Sequence, residues 1–221
     1  MPSSRPEAIP AVVSLIRRMD PASILDVGAG FGKWGVLFRE YTDIVKSELD
    51  PPRYARSNWQ VRIEGAKGYP DYTTPLHEFV YDRIHLGDAP EVIRGLGEYD
   101  VVFAGDIIEH FEKEKGAEFM TEARRHARKC LILTTPAQQT NQGTIRGNEL
   151  ERHGSLWLKK DFASLGPVKV FSIPGDLLLA VYPKPGQPAP VPSTARPARS
   201  LPVRIAARLW RPVRSTVHTT G

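Results

Sequence analysis

The chain has 221 residues, 41% of them hydrophobic, which suits one domain with a full core and would leave two compact domains cramped. Its formal net charge of +5 belongs to its end: residues 184–221 hold one Lys and six Arg and no acid, which leaves residues 1–183 at −2. A body of that charge excludes the electrostatic argument for a nucleic-acid partner, and the single cysteine, Cys130, excludes an internal disulfide and fits a reducing, cytoplasmic setting.

Residues 8–16 are apolar, broken by Pro10 and followed by Arg17 and Arg18, which reads as a first helix packed on a sheet rather than a cleaved leader. No apolar run approaches the length that spans a bilayer. Strand candidates follow at residues 24–27, 61–64, 83–86, 101–104, 130–133, 168–172 and 177–181, and helical stretches at 33–47 and 112–129 lie among the first five. That alternation predicts an α/β fold with a doubly wound, mostly parallel seven-stranded sheet. Only Ile173-Pro174-Gly175-Asp176 separates the last two strands, too short for a crossover helix, so they form an antiparallel hairpin.

Ligands of such sheets bind beyond the carboxyl ends of the strands. The first strand ends in Leu25-Asp26-Val27-Gly28-Ala29-Gly30-Phe31-Gly32-Lys33. Glycines let a ligand approach the main chain closely, whereas Asp26 suits a cationic or hydroxyl-bearing ligand better than a phosphate. The dinucleotide fingerprint is incomplete, because Lys33 stands where its third glycine belongs. An ordinary strand-to-helix turn accounts for the same residues.

This segment resembles motif I of the class I S-adenosylmethionine-dependent methyltransferases. The resemblance covers residues 10–183. It implies that Gly28 and Gly30 pack against the amino-acid end of the cofactor, with Asp26 holding its ammonium group. Glu64, read as the close of the second strand, has two acceptor oxygens for the hydroxyls of a ribose, and an acid at this place holds the cofactor ribose in that family. Residues 41–60 lengthen the crossover before it, and Glu48 is a weaker claimant to the same role. A solvated loop acid is the plain alternative for Glu64. Asp88 and Ala89 close the third strand where the resemblance implies a contact to the adenine; Asp88 also suits the N-cap of a following helix.

The fourth strand leads into Asp106-Ile107-Ile108-Glu109-His110, which resembles the Asp-x-x-Glu-His motif of small-molecule and glycan O-methyltransferases. The resemblance implies that Asp106 and His110 lie at the sulfonium end of the cofactor, facing the acceptor. A hydroxyl acceptor must lose a proton, so a base is required near the line of attack. His110 is the first candidate, Glu109 its orienting partner, and helix capping its structural alternative.

Residues 137–156 form a connection of about twenty residues, a length that marks either a functional lid or a misread element. It is rich in amides, hydroxyls and charges suited to a polyhydroxylated acceptor, and it resembles family members encoded beside glycan-building enzymes through Gln142-Gly143, Gly147-Asn148, Glu151 and His153. His153 is the second base candidate. Asp106, Glu109, His110 and His153 could also gather a magnesium ion, although imidazole is not the ligand magnesium prefers.

The expected domain ends at residue 183. The Pro- and Arg-rich segment 184–221 reads as a flexible linker with a short basic amphipathic stretch at residues 203–211, able to make weak peripheral contact with an anionic membrane. The rival classes are a nucleotide-dependent oxidoreductase and a non-catalytic binding module. Base N-methylation is disfavoured, because Thr134-Thr135-Pro136-Ala137 stands where an Asn-Pro-Pro-Tyr type loop would be.

Overall fold

The computed structural model describes residues 4–193. All seven expected strands form one sheet: β1 Ser23–Val27, β2 Arg62–Lys67, β3 Arg83–Leu86, β4 Tyr99–Gly105, β5 Ala127–Pro136, β6 Lys169–Ile173 and β7 Leu177–Pro183. Their order is β3-β2-β1-β4-β5-β7-β6. β1 to β5 run parallel, β7 lies antiparallel to β5, and β6 is antiparallel to β7.

Strand alternation delivers successive side chains to opposite faces, and both faces are covered. On one, Ile24, Phe103 and Ile132 pack with Leu15 and Ile16 of α1 (Ile9–Met19) and with Trp34 and Phe38 of α2 (Lys33–Arg39). On the other, Leu25, Val102 and Leu131 pack with Phe119 and Met120 of α5 (Lys113–Arg125) and with Trp157 and Phe162. All seven residues of β4 are buried, as a central strand sandwiched by helices requires.

The expected helix over residues 33–47 is interrupted. α2 stops at Arg39 and passes into a wide π turn, Glu40–Ile44, and then into short 3-10 turns through residue 58. A buried ion pair holds this long crossover: Arg39 Nη1 lies 2.7 Å from Asp43 Oδ2 and also donates to the Val61 carbonyl at 2.7 Å. Asp43 in turn accepts the Gln60 amide at 2.8 Å. Buried charges persist only when paired and hydrogen-bonded in this way, and here the pair sets where the crossover re-enters the sheet as β2.

After β7 the chain runs back to α1, where the Ser193 amide donates to Ser14 Oγ and Arg18 donates to Ser193 Oγ, both at 3.0 Å. Residues 203–211, expected as a basic amphipathic stretch, lie outside the described residues. No helix among the described residues is long and apolar enough to cross a membrane.

Candidate active site

A cleft of about 330 Å³ opens beyond the carboxyl ends of β1, β2 and β4. Its floor is the turn after β1. Gly28 (φ 80°), Gly30 (φ 50°) and Gly32 (φ 90°) all take left-handed backbone that side chains disfavour. The Gly28 and Ala29 amides both donate to the Ala66 carbonyl, at 2.9 and 3.1 Å, tying the turn to β2. A Cβ on Gly28 would come within 3.0 Å of Ile107, so glycine also allows the β4 loop to close over the floor.

The turn is braced from below by α3 (Pro75–Val80). His77 takes the Thr74 amide on Nδ1 at 3.2 Å and faces the Gly30 carbonyl with Nε2 at 3.1 Å. Only a donor satisfies a carbonyl, so the tautomer with hydrogen on Nε2 fits both contacts.

Asp26 does not reach the cleft. Its carboxyl is fully buried beneath the turn, where Tyr81 donates to Oδ2 at 2.5 Å and Oδ1 has no partner among the described residues. Burial, only partly offset by the Tyr81 bond, pushes this carboxyl up to about 7. Asp26 falls on the same face of β1 as Ile24, and that face is covered by helices, so the expected ammonium contact is replaced by a phenol.

Glu64 is displaced for a different reason. β2 does not stop at Glu64 but continues to Lys67, so Glu64 pairs with Leu25 in mid-sheet, away from the cleft. Its oxygens accept from His85 and Tyr99, both at 2.7 Å, and from Arg62 at 3.0 Å. Burial alone would raise this carboxyl, but those three bonds hold it below the usual range. Gly65, which follows the expected strand end at Glu64, is a mid-strand glycine: a Cβ there would meet Ile84 at 2.7 Å and Ala29 at 3.2 Å. The residue that closes β2 at the cleft is Lys67, 4% exposed, its Nζ 3.5 Å from the Gly30 carbonyl and its ammonium lowered by burial to about 8. Glu48 lies in the crossover and takes no part in the cleft lining.

Asp88 and Ala89 are also outside the lining. Asp88 occupies the N-cap of α4 (Ala89–Arg94) with extended backbone, but its side chain makes no cap bond and instead pairs with Lys115 of α5 at 3.2 Å. The far end of the cleft is covered by Leu150 from the lid, which stands over Gly68 so closely that a Cβ there would meet it at 2.5 Å.

The loop after β4 does gather the expected residues. Asp106 turns the chain at φ 52°, its amide donating to the Thr134 carbonyl at 2.9 Å while Thr134 Oγ1 donates to Asp106 Oδ1 at 3.1 Å. The Arg5 amide donates to its other oxygen at 3.2 Å, and Lys33, anchored on the Ser4 carbonyl, adds positive charge nearby. Burial outweighs these and raises the Asp106 carboxyl. Glu109 is buried at 3% exposure and accepts from Thr135 Oγ1 at 2.9 Å; burial, reinforced by the charge of Asp106, raises it as well.

His110 and His153 meet edge to face, ring centroids 4.9 Å apart, although 43 positions separate them. The lid brings them together by holding itself in shape. The His153 amide donates to Gln142 O at 3.0 Å, Asn148 Oδ1 accepts the Leu150 amide at 3.0 Å, and the Gly154 and Ser155 amides both close on the Glu109 carbonyl, at 2.8 and 3.0 Å. Trp157, buried under α5, donates to the Ile108 carbonyl at 3.1 Å and fixes the end of the lid. His153 is lowered to about 4 by burial, then by the neighbouring His110 and Arg5, so its imidazole is neutral near pH 7. Ligand atoms of Glu109, His110 and His153 all lie within 4.8 Å of one another.

Sequence reading missed Lys67, Tyr81, His77 and the two threonines, as well as Ser4 and Arg5, which wall the cleft from the amino-terminal side. The Gly68 turn signal after Lys67 was the available cue to the true end of β2. Nothing in the order of residues places Tyr81 under Asp26.

No family model matches the chain, and a search of curated proteins finds no match. Solved structures do match its fold. The PH0226 protein of Pyrococcus horikoshii superposes with a TM-score of 0.56 at 16% identity, covering 80% of this chain and 89% of that one. PigF, solved with S-adenosylhomocysteine, gives 0.52 at 15% identity over 80% of this chain and 56% of its own. An O-methyltransferase family protein of Burkholderia thailandensis gives 0.53 at 15% identity over 78% and 54%. The chain thus spans little more than half the length of these last two. With parallel strands β1 to β5 and an antiparallel closing pair in common with these structures, the chain has the Rossmann-like methyltransferase fold.

Proposed function

We propose that this chain is an S-adenosylmethionine-dependent O-methyltransferase whose acceptor is a small polar molecule, first among them a saccharide or glycoconjugate. The observation that carries the reading is the pair His110 and His153, set beside Glu109 at the cleft wall and supplied by the β4 loop and the lid together. An acceptor hydroxyl entering there meets the unprotonated imidazole of His153, the group its proton needs.

The residues at the glycine turn fit the cofactor in part. Gly28 and Gly30 leave the floor free of side chains, and Asp106, one of the carboxyls lining the cleft with Glu109 and Glu151, is the candidate partner for an ammonium, since Asp26 is committed to Tyr81. Lys67 stands where an acid was expected for the ribose, and its Nζ is a donor to the hydroxyl oxygens in place of an acceptor. Bound S-adenosylmethionine would supply an electrophilic methyl from its sulfonium, and the protein's part is alignment of the acceptor oxygen. Thr140, Gln142 and Asn148 of the lid line the same cleft and present hydroxyl and amide groups, which is the support for a polyhydroxylated acceptor.

The test is calorimetric titration with S-adenosylhomocysteine, followed by an oligosaccharide screen read by mass spectrometry for gain of a methyl group. Binding at micromolar strength, about −8 kcal/mol, is expected. Absence of both heat and thermal stabilisation would remove the cofactor and the reading with it.

A further inference from the structure

We propose that Glu109, His110 and His153 form a binding site for a first-row divalent transition ion, open on the cleft side to an oxygen of the acceptor. Two imidazoles and one carboxylate on a single wall are a donor set for zinc, cobalt, manganese or iron rather than magnesium, which favours carboxylate, carbonyl and water oxygens. The three donors already stand within 4.8 Å of one another, close enough to share one ion.

The groups behind the donors supply an independent observation. His110 Nδ1 faces the Arg152 carbonyl at 3.1 Å, an acceptor, which puts the hydrogen on Nδ1 and leaves a lone pair on Nε2. His153 Nδ1 is engaged by Thr140 Oγ1 at 2.7 Å, so Nε2 is again the free atom. Glu109 Oε2 takes the Thr135 hydroxyl at 2.9 Å and leaves Oε1. Each donor is therefore oriented by a second group through its other polar atom, the arrangement that fixes tautomer and direction at metal centres. Three protein ligands with one position open is also the pattern of an ion that works on a bound oxygen. Asp106 lies near Glu109 but outside the set, its two oxygens taken by Thr134 Oγ1 and the Arg5 amide.

The site itself stands on geometry alone; its role toward the acceptor rests on the methyltransferase reading above. An ion held on both Nε2 atoms would make the histidines ligands in place of bases; it would acidify a coordinated acceptor hydroxyl, whose proton would pass to solvent water in the cleft as the oxygen takes the methyl from the sulfonium.

The full chain, stripped with a chelator and dialysed, is titrated with Co2+ and followed by its visible absorption, with Mg2+ as competitor. One Co2+ per chain with the intense bands of a four- or five-coordinate site is expected, undisturbed by equal Mg2+. His153→Ala and His110→Ala should each weaken binding at least about tenfold, and Thr140→Val, which only frees the ring, about 10- to 100-fold. Featureless spectra, or spectra unchanged in both histidine variants, would overturn the site, and displacement by equal Mg2+ would overturn its chemical class. Parallel titration with S-adenosylhomocysteine separates the two claims. Cofactor binding without Co2+ binding overturns the metal site alone, and Co2+ binding without cofactor binding supports the site while overturning its role toward a methyl acceptor.

Discussion

Tyr81 joins Asp26 to the start of α2: its hydroxyl donates to Asp26 Oδ2 at 2.5 Å and accepts the Gly35 amide at 3.0 Å. One phenol thus holds both the acid before the glycine turn and the helix after it. Tyr81→Phe would leave the amide and the carboxyl unpartnered in a buried layer, an omission that costs about 1–3 kcal/mol per group. Chemical denaturation should show that loss, and an unchanged midpoint would deny the phenol its bracing role.

The same acid gives a pH signature. Its folded value of about 7 lies above the ordinary 3.8, so the folded protein binds a proton that the unfolded chain has released. Its contribution to stability is complete below about pH 4 and is lost as pH rises to about 7, at up to about 1.4 kcal/mol per unit. Asp26→Asn removes this dependence. The stability of the variant relative to the parent should therefore climb between pH 4 and 7 and level off above, as read from unfolding free energies across that range; a flat difference would contradict the burial argument.

Glu64 is held in mid-sheet and Lys67 lines the cleft, so the proposed function assigns structure to the first and binding to the second. Glu64→Gln weakens the bonds from His85, Tyr99 and Arg62 and is expected to lower stability by about 1–3 kcal/mol with S-adenosylhomocysteine affinity kept within about threefold. Lys67→Met, which takes a charged donor from the cleft, should weaken that affinity about tenfold with little change in the unfolding midpoint. Calorimetry and thermal melts on the two variants read both halves, and an exchange of the two outcomes would return Glu64 to the ligand.

On the proposed function, His110 and His153 serve the acceptor and not the cofactor. Once an acceptor is in hand, alanine at either position should lower kcat by about 100-fold or more while S-adenosylhomocysteine still binds within about threefold of the parent. Equal loss of cofactor affinity would mean that these rings shape the glycine-turn end of the cleft instead.

The sheet was legible because its signals are local: seven apolar runs, and a turn between the last two too short for a helix. Asp106, Glu109 and His110 come together because one loop after a buried strand carries them, and His153 was singled out through the resemblance of the lid segment and not through any local signal of its position. The other acids were misread for reasons that lie across the sheet. β2 was expected to end at Glu64, but Gly65 continues it between Ile84 and Ala29, and so Glu64 was placed three residues too near the cleft. Asp26 stands at the right height but on the helix-covered face, and Asp88 turns toward Lys115, a partner 27 positions away. A strand's end can be guessed from its own residues; the direction in which its last acid points depends on what packs beside it.

Thr134 and Thr135 carry a consequence for the sheet as a whole. As neighbours on β5 they point to opposite faces, one bonding Asp106 and the other Glu109. The cleft therefore senses the alignment of β5, which is in turn locked by β7 through the pairs Thr134 with Leu179 and Thr135 with Leu178. A slip of one residue would put Leu133 or Pro136 in place of one of the two threonines and strip one acid of its donor while the other acid kept a threonine. The closing hairpin, which adds no residue to the cleft lining, works as the gauge that keeps the two carboxyls in step.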